Sequence, residues 1–274
     1  MTNDITPNNI AHEYILWLHS ILMAAERKSF GKDVLEATFN QIGSMLQSPV
    51  VVYLLGGGAM CFRGQKLATK DLDLVFDSHE DFQTFSDALQ KAGYQEPQKL
   101  ESVYEVMKAS GIWQNRMGFR FDLFVKTVCN ALSLSEGMVK RSKLLATYGK
   151  LTVQMVSNED IILFKGITER PDDVNDISEI IQRADIDWGI VLRECKEQSK
   201  TRAWYGLLHD KFMEIEQKRG IRIPIASQVL KLDDIAIVRE AFEAQLHKGL
   251  SRKATLEALM KKGFTKEEIE EAIG

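Results

Sequence analysis

The sequence predicts an α+β protein: a β-sheet flanked by helices in the first half of the chain, followed by a helical C-terminal region. Two observations carry this. Apolar runs of strand length (Val50–Leu55, Leu72–Phe76, Met117–Lys126 and Leu151–Val156) fall within the first 156 residues. Apolar residues at helical spacing dominate the rest. With 274 residues and 45% hydrophobic content, the chain can bury one or two cores.

Taken in order, residues 8–28 place Ile10, Tyr14, Trp17, Leu18, Ile21, Leu22 and Ala25 on one side of a helix. Residues 32–47 do the same with Val34, Leu35, Phe39, Ile42 and Leu46. Both helices precede the first strand and are expected to pack against the sheet. Val50–Leu55 runs into Gly56-Gly57-Gly58, and a second apolar strand contains Leu72, Leu74, Val75 and Phe76. Residues 80–92, with Phe82, Phe85 and Leu89, form the crossover helix. Residues 100–126 read as a hairpin, with Val103, Tyr104, Val106 and Met107 in its first strand. Ser110-Gly111 and Gln114-Asn115 supply the turn chemistry. On the returning strand Phe119, Phe121, Leu123 and Val125 share one face; Arg120, Asp122, Phe124 and Lys126 share the other.

Leu151–Val156 is a short strand, and Ser157 with Asp160 marks a helix start. That helix carries Ile161, Ile162, Phe164 and Lys165 and ends before Arg170-Pro171. The next opens at Asp172-Asp173 with Val174, Ile177 and Ile181 on its apolar stripe; Asp173 and Asp176 lie off that stripe. Further helices hold Trp188, Val191, Leu192 and Cys195, then Trp204, Leu207, Leu208 and Phe212. Pro and Gly in Arg219–Pro224 break the pattern. In the tail, Ser251 caps a helix bearing Leu256, Leu259 and Met260, which Gly263 ends. Thr265 and Glu268 form a capping box for the last helix. This tail faintly resembles ubiquitin-associated-type three-helix modules. Helical packing is its expected role, and partner binding or dimerisation the alternative.

The chemistry concentrates between residues 51 and 77. Asp71 and Asp73 stand two apart in a strand, so both project from one face while Leu72 and Leu74 face the core. Two adjacent carboxylates repel and are costly to bury unpaired. A hard cation such as Mg²⁺ removes both problems and bridges carboxylates to phosphates. The glycines upstream let a backbone without Cβ approach a triphosphate. A dinucleotide fingerprint is excluded, because GGGAMCFRG does not give the required glycine spacing. Asp122 is a charge in the middle of an aromatic strand. Its two readings are an ion pair with Arg120 or a nearby Lys, and a functional carboxylate.

Gly56-Gly57-x-Ala59, Gly64 and Thr69-Lys70-Asp71-Leu72-Asp73 together resemble the signature of the nucleotidyltransferase superfamily, whose fold resembles polymerase β. The nearest likeness is to its minimal and toxin-type members, including abortive-infection nucleotidyltransferase toxins. The resemblance implies a mixed sheet flanked by helices, with residues 1–156 as the catalytic domain. Residues 157–222 would complete the site and residues 223–274 would form a small appendage. It implies that Asp71, Asp73 and Asp122 bind Mg²⁺ and that Asp122 acts as base toward an acceptor hydroxyl. Gly56, Gly57, Gly58, Thr69 and Lys70 would bind the nucleotide. Where an Arg often precedes the Thr, this chain has Leu67-Ala68; where many relatives carry Ser, it has Gly57. The stretch from Glu159 to Asp176 resembles the second half of the toxin-type members. There Lys165 would contact phosphate or act in catalysis, Asp173 or Asp176 would orient it, and Arg170 would assist. Solvated helix ends are the plain alternative for the aspartates.

The formal net charge of −4 does not favour a nucleic-acid acceptor; Lys140, Arg141 and Lys143 are a candidate basic patch, with a solvated helix face as their plainer reading. Three distant cysteines give neither a disulfide framework nor zinc spacing, so a cytoplasmic location is expected. No apolar run is long enough for a membrane span. His12 and His19, seven apart, read as helix packing. The expected activity is transfer of an NMP from an NTP to an RNA 3′ end or a protein side chain, in a toxin with a cognate antitoxin. A catalytically silent fold that binds a nucleotide or a partner is the alternative, and an interaction protein acting through its tail is a third.

Overall fold

A computed structural model describes residues 28–97, 109–168, 170, 172–200 and 202–273. The expected helix over 8–28, but for its last residue, and the β-run over 103–107 lie outside the described residues. The chain divides into two compact units, Met1–Ser157 and Asn158–Gly274.

The first unit is built on a six-stranded mixed sheet. Its strands are β2 (Val50–Leu55), β4 (Asp71–Phe76), β5 (Gly111–Gln114), β6 (Arg120–Val125), β9 (Lys143–Tyr148) and β10 (Leu151–Met155). Their order is β5-β6-β4-β2-β10-β9. The pairs β4–β6 and β10–β2 are parallel; β2–β4, β5–β6 and β10–β9 are antiparallel. Two small ribbons accompany it: β1 (Phe30–Gly31) with β3 (Ala68–Thr69), and β7 (Thr127–Val128) with β8 (Leu132–Ser133). Three of its helices are α1 (Lys32–Met45), α2 (Gly56–Phe62) and α3 (His79–Lys91); a short α4 (Glu136–Arg141) precedes β9.

Helix α1 forms because Leu35, Phe39 and Ile42 recur at i, i+4 and i+7, and all three are fully buried. Helix α3 is stopped upstream by Ser78, whose hydroxyl accepts from the Asp81 amide at 3.1 Å. It packs on β2, β4 and β6 through Phe85 and Leu89. Phe76 and Phe121 meet Phe85 at ring-centroid distances of 5.4 and 5.7 Å. Each such side chain contributes roughly 1.5–3 kcal/mol by leaving water.

Two expectations are corrected here. Ser110-Gly111 and Gln114-Asn115 are not both turns: Gly111–Gln114 is a strand antiparallel to β6. The reversal lies at Asn115–Gly118, where Asn115 Oδ1 accepts from the amides of Met117 (2.9 Å) and Phe119 (3.0 Å). Lys140, Arg141 and Lys143 do not form one helix face, because α4 ends at Arg141 and Lys143 opens β9.

One tight contact gives a stability prediction. A Cβ on Gly43 would lie 1.8 Å from the Tyr148 carbonyl oxygen, in the turn between β9 and β10. Backbone cannot yield as a side-chain tip can. Gly43→Ala is expected to cost about 3 kcal/mol or more, read from urea unfolding; a change under about 0.5 kcal/mol would show that α1 is free to move off this turn.

The second unit is helical: α5 (Asn158–Gly166), α6 (Asp173–Arg183), α7 (Trp188–Gln198), α8 (Tyr205–Arg219), α9 (Ala226–His247), α10 (Arg252–Lys261) and α11 (Lys266–Ile273). Helix α5 is its central element, packed by α6, α7 and α8. Its residues Asp160 to Phe164 are all buried, so no amphipathic stripe is visible in its sequence. Across the Arg219–Pro224 break, α8 packs on α9. The last three helices enclose a small core of Val238, Phe242, Leu259, Ile269 and Ala272. Thr265 and Glu268 form the expected capping box, at 3.2 and 2.7 Å. No helix among the described residues is long and apolar enough to cross a membrane.

Candidate functional site

The register of β4 and β6 assembles the first constellation. Parallel pairing sets Asp71 beside Arg120 and Asp73 beside Asp122. Strand alternation puts these four side chains on one face, while Leu72 and Leu74 point away and are fully buried. On the other side of β4, Leu55 pairs with Asp73, so the glycine turn starts beside that carboxylate. Gly56 has φ +61°, and a Cβ there would lie 2.2 Å from Asp73 Oδ2. The left-handed backbone and the carboxylate contact each require glycine at this position.

The next two glycines do other work. The α-carbon of Gly57 faces Thr69, whose Oγ1 would be 2.4 Å from a Cβ. Gly58 faces Leu54 and Leu72, which lets α2 lie close to the sheet. Thr69 is buried, and its hydroxyl donates to the Asp71 carbonyl at 3.1 Å, bracing the entry to β4. Lys70 lies between them, half-buried.

The electrostatics centre on Arg120, which is 4% exposed. Its Nη2 donates to Asp71 Oδ2 at 2.9 Å and to Asp122 Oδ2 at 2.6 Å. Asp122 is 1% exposed, and its Oδ1 has no hydrogen-bond partner among the described residues. Burial pushes the Asp122 carboxyl up to about 7; the nearby Asp71 charge adds to this, Arg120 opposes it, and Asp73 adds again. Asp122 therefore holds a proton far more readily than an ordinary aspartate.

The donor set fits Mg²⁺ in its chemistry. Three carboxylates supply hard oxygen atoms, and the buried Asp122 Oδ1 has unused acceptor capacity. As the side chains stand, no group of three or more His, Cys, Asp or Glu among the described residues is placed so that it could hold a metal ion. Arg120 is the cation that Asp71 and Asp122 share instead.

A second constellation belongs to the second unit. Lys165 on α5 reaches Asp173 Oδ1 at 2.9 Å and Asp176 Oδ2 at 2.8 Å, both on α6. The Thr168 hydroxyl donates to the other Asp173 oxygen. Burial disfavours the Lys165 charge, yet the two carboxylates outweigh it and hold the amine above the usual lysine range. Asp173 and Asp176 are both buried, so they are not solvated helix ends. Arg170 lies just before α6, where its carbonyl accepts from the Asp173 amide at 3.2 Å.

Two participants were not singled out from the sequence. Arg120 entered only as an ion-pair alternative for Asp122; its place two residues earlier on the same strand face was the available signal. Thr168 carried no signal, because a hydroxyl one turn beyond a helix is unremarkable in sequence.

The comparisons with known proteins bear on this architecture. A family model described as "Nucleotidyltransferase of unknown function (DUF6036)" matches residues 34–212, which include both constellations. The chain belongs to this nucleotidyltransferase family. No curated protein matches the sequence.

Proposed function

We propose that the protein is a Mg²⁺-dependent nucleotidyltransferase that moves an NMP from an NTP to an acceptor hydroxyl on an RNA 3′ end or a protein side chain. The observation that carries this reading is the β4–β6 register, which aligns Asp73 with Asp122 while Gly56 admits the Asp73 carboxylate. Asp71, Asp73 and Asp122 are assigned as the ligands. Mg²⁺ held there would neutralise phosphate charge and stabilise the leaving pyrophosphate.

The chain's own residues do the rest. The Gly56–Gly58 backbone offers amides without side chains to the phosphates, and Lys70 adds charge there. Asp122, with its raised proton affinity, takes the proton of the acceptor hydroxyl. The acceptor oxygen bonds the α-phosphorus, the bridging α–β P–O bond breaks, and pyrophosphate departs. Lys165 is assigned to phosphate contact, oriented by Asp173 and Asp176, with Arg170 as its auxiliary. The toxin role, with a cognate antitoxin, rests on resemblance, and a cytoplasmic location on the three scattered cysteines; both are part of the same proposal.

A second reading draws on one observation. Arg120 already gives Asp71 and Asp122 a counter-ion, as a fold that only binds a nucleotide or partner would need.

Pyrophosphate release separates the two. Wild type with Mg²⁺, each NTP and total RNA or a desalted lysate is expected to release pyrophosphate. The Asp71→Ala/Asp73→Ala variant should lose roughly 10³-fold or more of that rate, about 4 kcal/mol in barrier, while still melting cooperatively. Equal release by the folded double variant would remove the site from the account.

A further inference from the structure

The Arg120 guanidinium is the least expected group in the first unit. It is 4% exposed, and one nitrogen, Nη2, serves carboxylates on both β4 and β6. A buried guanidinium is tolerated because it is weakly hydrated and here is paired twice. The pairing is nevertheless incomplete. Asp122 Oδ1 stays buried with no hydrogen-bond partner among the described residues.

A divalent ion taking the same carboxylate oxygens would bring a second cation against the guanidinium. At contact distance in a poorly hydrated site, two like charges repel strongly. Metal and guanidinium therefore compete for the Oδ2 atoms of Asp71 and Asp122.

We propose that Arg120 is an internal counter-cation that a divalent metal must displace from Asp71 and Asp122, so that this side chain sets the metal affinity of the site. This rests on reading Asp71, Asp73 and Asp122 as metal ligands. The metal must break two short ion pairs on entry, and its apparent affinity is lowered by what those pairs contribute. The arrangement also makes the loaded and unloaded states differ by one defined side-chain movement. Without metal, Arg120 keeps the carboxylates from repelling one another; with metal, it is released.

The test titrates the full chain with Mn²⁺ and no nucleotide, counting unbound ion by electron spin resonance. Arg120→Gln is expected to bind Mn²⁺ roughly tenfold tighter than wild type, or more. Arg120→Lys should fall between them, since a lysine ammonium cannot reproduce the planar fork. Asp73→Asn placed in the Arg120→Gln background should remove the tight site. Affinity that is unchanged or weaker in Arg120→Gln overturns the displacement while leaving the ligand assignment intact, provided Asp73 is still required. Absence of Mn²⁺ binding in both wild type and Arg120→Gln overturns both. Should circular dichroism show that Arg120→Gln does not fold, Arg120→Lys decides: tighter binding than wild type supports displacement, and equal or weaker binding ends it.

Discussion

Asp122→Asn is expected to lower nucleotidyl transfer by roughly 10³-fold or more and, in metal-free buffer, to make the protein more stable above pH 7. The two effects share a cause. Asp122 lies in the most desolvated part of the site, with one oxygen paired to Arg120 and the other without a hydrogen-bond partner among the described residues. Its native-state carboxyl titrates near 7, against an ordinary aspartate in the unfolded chain. Between those two values the native state binds the proton and the unfolded state does not. Stability then falls as pH rises, and above about pH 7 the whole penalty is present. An amide carries no such charge. The Asn variant should match wild type near pH 4 and exceed it at pH 8 by on the order of 2–4 kcal/mol. Urea unfolding in EDTA at both pH values reads this directly. A variant less stable than wild type at pH 8 would mean that the Arg120 pair outweighs the burial of Asp122.

Lys165→Met is expected to destabilise the protein by about 3–5 kcal/mol. The lysine is the cation that Asp173 and Asp176 both use, and both carboxylates are buried. Without it, two like charges face each other on the first turn of α6, with the Thr168 hydroxyl still on Asp173. The hydrophobic stem of methionine replaces packing but not charge. Adding Asp173→Asn to Lys165→Met should recover part of the loss, because it removes one of the stranded charges. Denaturant unfolding of the single and double variants gives the coupling. A loss below about 1 kcal/mol for Lys165→Met would show that this cluster is solvated and does not hold α5 to α6.

Much of the first site was legible because strands obey a period of two. Asp71 and Asp73 had to share a face once Leu72 and Leu74 were assigned to the core, and the same alternation put Arg120 with Asp122. The glycine turn was legible as a place without side chains. Its division of labour was not: that Gly56 meets Asp73 and Gly58 meets Leu54 follows from the pairing of β2 with β4. Nor does alternation within one strand bring Asp71 to Arg120; only the parallel register of β4 and β6 does.

Strand β9 was missed for a physical reason. It is an edge strand with exposed Lys143, Leu144 and Thr147, so it lacks the apolar run of an inner strand. Gly111–Gln114 was read as turn chemistry because glycine and polar residues flank Trp113, and its ladder with β6 is a tertiary fact. In the second unit, the Lys165, Asp173 and Asp176 spacing was visible. Their burial was not, because α5 is enclosed by neighbouring helices on nearly all sides and shows no polar face to reason from.

The most direct measurement is label transfer from each α-³²P-labelled NTP, with Mg²⁺, total cellular RNA and a desalted lysate, for wild type and Asp71→Ala/Asp73→Ala. The expected result is label in an RNA or protein band with wild type alone, which identifies the nucleotide and the acceptor class together. Measurable Mg·NTP binding without label from any nucleotide would contradict the transferase reading and leave a nucleotide-binding member of the fold.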